Sequence, residues 1–201
     1  MSVELFLSVA ALGIVLGGIL GVIGARDKAI GTIVRTVSFI VAGIPLLVLL
    51  FWFYYPFQTL IGIQITPFLT AVLTLGLVNV AAVAELVRGV LADFPKQYVI
   101  AGQIAGLSND DIFRRIQFPM VFRQVIPSML TAQLFILQAT LFASLISVPE
   151  IFRVAQNLNA VLYRPVEIYS TLAVFFMLIL APLYYLAYFL REKYTRDFSE
   201  R

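Results

Sequence analysis

An all-helical fold that crosses a membrane several times is the expectation, and three observations carry it. Hydrophobic residues make up 61% of the 201-residue chain and charged residues only 12%. Five separate runs approach the roughly 20 apolar residues that a helix needs to span hydrocarbon. The 14 Lys and Arg fall almost entirely in alternate segments between those runs.

The spans fall at about 5–24, 33–55, 68–87, 125–148 and 169–190, within one membrane domain over 1–201. The opening MSVELF carries an acidic residue and no positive stretch. It predicts a true first span rather than a signal peptide. Histidine and cysteine are both absent. Disulfides, thiol nucleophiles, Ser-His-Asp hydrolysis and the usual zinc, copper or haem sites are therefore excluded. The net charge of +3 calls for no nucleic-acid partner.

Lys and Arg mark the cytoplasmic side of membrane helices. Arg26, Lys28 and Arg35 follow span one. Arg88, Lys96, Arg114, Arg115 and Arg123 lie between spans three and four. Arg191, Lys193, Arg196 and Arg201 follow span five, which leaves only Arg153 and Arg164 for the opposite side. The N-terminus is expected outside and the C-terminus inside. Trp52, Phe53, Tyr54 and Tyr55 then form an outer aromatic belt, and Tyr184, Tyr185 and Tyr188 an inner one. The segment 150–162 is too polar to span. Ile151, Val154, Ala155, Leu158 and Leu162 recur at helical spacing, which predicts a short helix at the outer surface.

Gly13, Gly17, Gly21 and Gly24 make one smooth face on span one, suited to close helix packing within the chain or against a partner. Gly43 and Pro45 interrupt span two and form a candidate gating hinge. Glu85 and Arg88 sit three residues apart at the inner end of span three, where an ion pair at the interface is expected.

The long polar segment between spans three and four organises itself as two short helices over about 96–118. Pro95 breaks the preceding helix. Gly106 supplies a positive φ, and Leu107 leads to Ser108, a cap for the next helix. Asp110 and Asp111 occupy its first turn, where the helix dipole favours anions. Ile112, Phe113 and Ile116 form an apolar stripe, Arg114 and Arg115 follow, and Pro119 is expected to end the helix. Such a pair suits a groove on a cytoplasmic partner. The competing reading is an interfacial helix on anionic lipid.

Gly106, Phe113, Ile116, Pro119 and Pro127 stand at the spacing of the EAA loop of type I ABC importer permeases, which this segment resembles. Ile100, Ala101 and Gly102 occupy the Glu-Ala-Ala positions, so the glutamate is lost. The resemblance extends to the polar amino-acid branch. Ala42-Gly43-Ile44-Pro45-Leu46-Leu47 is similar to its Arg-Gly-Thr-Pro-Leu-Leu run, and Ala84-Glu85-Leu86-Val87-Arg88-Gly89 to its Ala-Glu-x-x-Arg-Gly motif. Gln138-Ala139-Thr140-Leu141-Phe142 takes the place of Lys-Asp-Thr-Ser-Leu. Val148-Pro149-Glu150-Ile151 and Tyr163–Tyr169 resemble its outer helix and the entry to the last span.

This resemblance implies a permease subunit of the bacterial inner membrane with the type I importer fold, working by alternating access. Its coupling surface would comprise Ile100, Ala101, Gly102, Ala105, Gly106, Leu107, Ser108, Phe113, Arg114, Ile116 and Pro119, docked on a dimer of ATP-binding subunits. ATP and Mg would be bound there, since this chain has no G-x-x-x-x-G-K-[ST] loop and no cofactor of its own. A second permease chain, membrane lipid and a solute-binding protein arriving near Glu150–Tyr163 complete the implied partners.

The branch holds an amino acid with cations that this chain replaces by Ala42 and Gln138. Three explanations stand. The chain is the half of a heterodimeric pair that moves without holding ligand. Alternatively it carries a less charged solute along Asn79, Gln133, Gln138, Thr140 and Ser144; a scaffold that docks the ATPase without forming a path is a third possibility. Interhelical hydrogen bonding is an equally ordinary role for Gln138 and Thr140.

Overall fold

The structure, a computed structural model, describes residues 1–199. Arg201, one of the expected inner cations, lies outside the described residues. The helices are α1 (Ser2–Arg26), α2 (Lys28–Gly43), α3 (Leu46–Ile61), α4 (Pro67–Ala92), α5 (Lys96–Ile104), α6 (Asn109–Ile146), α7 (Ile151–Leu162) and α8 (Pro165–Ser199). Four of them, α1, α4, α6 and α8, are each long and apolar enough to cross a membrane. The pair α2 and α3 passes the same test only jointly, which makes a fifth span if the pair counts as one.

Two features depart from the sequence reading. The run over 33–55 is not one helix with a kink. Helices α2 and α3 meet at 96°. Ile44 is extended (φ −96°, ψ 125°) and Pro45 follows at φ −55°, ψ 130°. Proline disfavours the helical region for the residue before it and donates no N–H, so the chain leaves the helix here and starts another.

The second departure is at Pro119, which ends no helix. α6 runs for 38 residues through it. A π turn over Phe113–Gln117 comes just before, with Phe118 N–H donating to the Phe113 carbonyl five residues back. Proline is disruptive because it lacks an N–H and crowds the carbonyl four residues earlier. The widened turn shifts that register, and Pro119 falls in the first turn of the helical stretch that follows. Another π turn, over Phe53–Phe57, contains Pro56 itself. At its far end α6 tightens into a 3₁₀ stretch, Thr140–Ile146, and stops at Ser147 with φ 69°.

α4 is the central helix and touches α1, α2 and α6. The glycine face of α1 lies on it: a Cβ at Gly17 would come within 2.8 Å of the Val80 carbonyl oxygen, and one at Gly21 within 2.6 Å of that of Ala84. Gly24 meets Gly31 of α2 in the same manner. Close packing within the chain thus accounts for all four glycines. One core cluster, around Leu5, Leu50, Leu75 and Ile146, lies at the end of the bundle where α1 begins. Another, around Val83, Phe94, Val121 and Val125, lies at the cation-rich end. α8 packs chiefly on α6 and α7, and Met177, Leu178 and Tyr185 point away from the bundle, each at least 70% exposed. Apolar side chains directed outward suit lipid rather than water.

Candidate functional site

At the cation-rich end the turn and cap of the polar segment form where the sequence places them, although its second helix is the start of the long α6. α5 stops before Gly106, which has φ 77°. Ser108 Oγ accepts from Asp111 N–H (3.2 Å) and donates to the Asp111 carboxylate (2.6 Å), a reciprocal cap for α6. Asp111 also pairs with Arg115 at 3.1 Å, one turn on. Gly102, at an alanine position of the motif, lies against Ile112. A Cβ there would come within 2.8 Å of the Ile112 side chain. The absence of a side chain therefore lets α5 sit directly on the start of α6. Gly102 and Ile112 are buried, whereas Ile100, Ala101, Ala105, Gly106, Ser108, Arg114 and Pro119 are exposed and Leu107, Phe113 and Ile116 are half-buried.

Two residues of this surface escaped the sequence reading. Ile104 projects beside Ile100 and is 83% exposed, the most prominent apolar group of the tip. Arg26, at the end of α1, holds its guanidinium 3.8 Å from the centre of the Phe113 ring. That cation–π contact ties the first span to the helix pair, beside a cavity of about 400 Å³ bounded by Leu91, Val99 and Gln117. No local sequence pattern connects Arg26 with Phe113. Only the fold brings them together.

A little deeper, Arg88 grips the Glu85 carboxylate with two hydrogen bonds, Nε to Oε2 at 2.7 Å and Nη2 to Oε1 at 2.6 Å. The bidentate geometry neutralises both charges at the end of α4. Glu85 borders a groove of about 680 Å³ between α2 and α4, which Arg35 also lines. Further along, its walls are apolar: Val41, Ala42, Val78, Ala81. Ala42, where the resembled branch has an arginine, leaves this stretch without charge. Gly43 has no heavy atom within 4 Å of a hypothetical Cβ, so the bend beside it is set by Pro45 and not by crowding.

Of the five candidate path residues, the structure brings two together. Asn79 and Gln133 exchange side-chain hydrogen bonds at 3.0 and 3.1 Å, and Asn79 Nδ2 also donates to the Val9 carbonyl at 3.0 Å. Both side chains are buried, and Asn79 fills the space a side chain at Gly13 would need. The amides thus fasten α1, α4 and α6 to one another. Thr140 and Ser144 are buried too, their hydroxyls donating to the Leu137 and Leu141 carbonyls of their own helix, each at 2.7 Å. Gln138 stands apart and donates to the Tyr184 hydroxyl at 3.1 Å.

The amide pair makes a quantitative prediction. Asn79→Leu leaves Gln133 unpaired, and Gln133→Leu does the same to Asn79, at about 1–2 kcal/mol each. The double variant should cost less than the sum of the two. Thermal unfolding in detergent measures all three, and strictly additive losses would refute the pairing.

At the opposite end, Glu150 caps α7, its Oε1 accepting from the N–H groups of Phe152 (2.8 Å) and Arg153 (3.1 Å). The Ile151 N–H donates to Ser2 Oγ at 3.0 Å, and Arg153 Nη1 donates to the Ser144 carbonyl at 3.3 Å. The start of α7 is thereby pinned to the beginning of α1 and the end of α6. Glu150 is only 2% exposed. Desolvation pushes its carboxyl up to about 7, against the pull of the backbone N–H donors.

Comparison with known proteins agrees with this architecture. The chain is 27% identical over 174 residues to the histidine/lysine/arginine/ornithine transport system permease protein HisQ of Escherichia coli (strain K12), covering 79% of this chain and 76% of that protein. It is 26% identical over 182 residues to the glutamine transport system permease protein GlnP of the same organism, covering 88% and 83%. A crystal structure of an amino acid ABC transporter with histidines superposes at a TM-score of 0.86 over 96% of this chain and 90% of that one, at 20% identity. Residues 13–198 match the sequence pattern of one family, and the chain belongs to it: the inner membrane components of binding-protein-dependent transport systems.

Proposed function

We propose that this chain is the permease subunit of an ATP-driven importer of polar amino acids, and the half of a heterodimeric pair that moves without holding the ligand. As a member of its family it is a transport component and not an enzyme. The observation that carries the reading is the capped helix pair at the cation-rich end, with Ile100 and Ile104 exposed at its tip and Phe113 held beneath Arg26. Apolar knobs among charges, held by a turn and a cap, suit a cleft on an ATP-binding subunit. The substrate class rests on the likeness to permeases whose names specify histidine, lysine, arginine, ornithine and glutamine.

The cation-rich end faces the cytoplasm in this reading, where a dimer of ATP-binding subunits binds ATP and Mg. Closure of that dimer displaces α5 and the start of α6, which Gly102 lets pack as one piece. α6 then carries the displacement in a single rod of 38 residues, roughly 57 Å long at helical rise. The apolar groove at Ala42 and the mutually satisfied amides of Asn79 and Gln133 favour a partner permease as the chain that recognises the amino acid's charges. Binding energy at the ATPase biases two states of the bundle, and this chain transmits the bias.

Affinity purification of the tagged chain from bacterial membranes should bring down an ATP-binding subunit and a second, different permease. Reconstituted with a solute-binding protein and ATP, that complex should import a labelled polar amino acid. Recovery of the chain alone would remove the coupling role. Recovery with a second copy of itself would remove the non-binding role and return the solute path to Gln138 and its neighbours.

A further inference from the structure

α7 is attached to the bundle in an unusual way. Among the described residues, the only non-glycine residues with positive φ are Ser147 (69°) and Tyr163 (53°), and they flank this one helix. Left-handed backbone at such residues is uncommon and stores about 1–3 kcal/mol at each position, relieved if the segment moves. Pro149 and Pro165 each follow two residues after these positions and restrict the chain to few alternatives. The helix between them is held lightly. Ala155 is its only buried residue, and an open groove of about 380 Å³ runs between it and α8, lined by Ile151, Val154, Leu158 and, from α8, Leu172 and Phe175.

Its firmest attachment is the cap. Glu150 closes the seam among α1, α6 and α7, and its second oxygen, Oε2, is buried without a hydrogen-bond partner. Among the described residues no cation pairs with it. Arg153 of α7 is engaged with the Ser144 carbonyl. α1 brings the Met1 amino group and Glu4, which pair with each other at 3.6 Å. α8 brings Glu167, on the wall of the groove, and the Tyr169 phenol, whose ring packs on Phe152 with centroids 6.1 Å apart. The 3₁₀ end of α6 brings no titratable group, and α3 contributes the Tyr54 phenol to the core nearby. A buried carboxylate oxygen with neither donor nor counter-charge disfavours the ionised form.

We infer that α7 is an outer flap hinged at Ser147 and Tyr163 and held shut by Glu150, a positioning residue that releases the flap when its carboxyl ionises. The inference rests on the transport reading for its purpose, since a flap at this end would gate the entry of solute. Protonated, Glu150 stays in the seam with Oε1 on the two N–H groups. Ionised, it is stabilised by water, which it reaches only when the start of α7 lifts. The sign follows. With the flap shut the carboxyl titrates near 7; lifted and hydrated, it returns to the ordinary range near 4.5. The shut state is therefore fully favoured below that range, loses ground as pH rises towards 7, and is constant above it. Between pH 5 and pH 8 the lifted fraction should rise by more than about tenfold.

The chain contains no cysteine, so a single reporter is unambiguous. Ala155→Cys places a thiol beneath the flap. In the assembled transporter in liposomes, reaction with a membrane-impermeant maleimide, read on this chain by mass, reports lifting. Glu150→Gln retains an oxygen for the cap but cannot ionise, and the same thiol in that background supplies the correction for thiol titration. The expected result is a ratio of rates, native over Glu150→Gln, that climbs about tenfold or more from pH 5 to pH 8. A ratio independent of pH overturns the inference, as does a thiol freely reactive at pH 5 with Glu150 present. Glu150→Ala, which removes the cap, should react at every pH; where that variant fails to accumulate, the Gln comparison decides alone. Labelling needs no transport, so loss of the importer reading and loss of the flap are separable.

Discussion

Gly21→Ala should nearly abolish accumulation of the folded chain in the membrane, while Gly18→Ala, three residues away on the same helix, should leave it unchanged. The added methyl at Gly21 would lie 2.6 Å from the Ala84 carbonyl oxygen and 2.7 Å from Val87 Cβ. Neither atom is the free end of a flexible side chain, so α1 must back away from α4 along much of their length. Overpacking of this kind costs about 1–3 kcal/mol, and more where backbone must move. α4 is the central helix, so the loss spreads to its contacts with α2 and α6. At Gly18 nothing lies within 4 Å, and alanine there gains helix propensity. Protease resistance and a monodisperse elution profile in detergent measure the difference. Equal behaviour of the two variants would sink the account of the glycine face.

Phe113→Asp should separate ATP hydrolysis from transport. The native ring is held under Arg26, 3.8 Å from its guanidinium, and leans on Phe118 with the ring centroids 6.2 Å apart. An aspartate at this position still attracts Arg26, so α1 and α6 keep an attachment and the chain folds. What disappears is the apolar knob offered to the partner. Loss of an aromatic anchor from a docking surface costs about 2 kcal/mol or more, on the order of thirtyfold in affinity. The assembled ATPase should continue to hydrolyse ATP while uptake falls about tenfold or further. Uptake within twofold of the native rate, a loss well under 1.4 kcal/mol, would remove Phe113 from the coupling surface.

Hydropathy made the main helices legible, because each long apolar run has one low-energy answer in lipid. The Glu85–Arg88 pair, the Ser108 cap and the positive φ of Gly106 were legible for the same local reason. What the sequence concealed was either an angle or a partner. Pro45 announces a break but not its 96°, which depends on where α3 finds its core contacts at Leu49 and Leu50. Pro119 announces an end that a π turn at Phe113–Gln117 cancels. Asn79 and Gln133 read as path-lining candidates because each is polar in an apolar helix. Their mutual hydrogen bonds, across 54 residues of chain, have no signature in either helix. Arg26 was read only as an orienting charge, and its place over Phe113 required the fold.

The contact between α1 and α4 has a consequence for biosynthesis. Membrane helices enter the bilayer in the order in which the ribosome makes them. α1 is complete at Arg26, yet the residues that receive Gly13, Gly17 and Gly21, which are Asn79, Val80, Val83, Ala84 and Val87, follow more than fifty positions later. During that interval only Gly24 can find its neighbour, on α2; the face from Gly13 to Gly21 is open to lipid, and the bent pair α2–α3 must take its place without capturing it. Chains stalled before α4 should therefore be the ones that membrane proteases and chaperones recognise. The first span is committed to the bilayer early but acquires its lasting neighbour only when the third has been made.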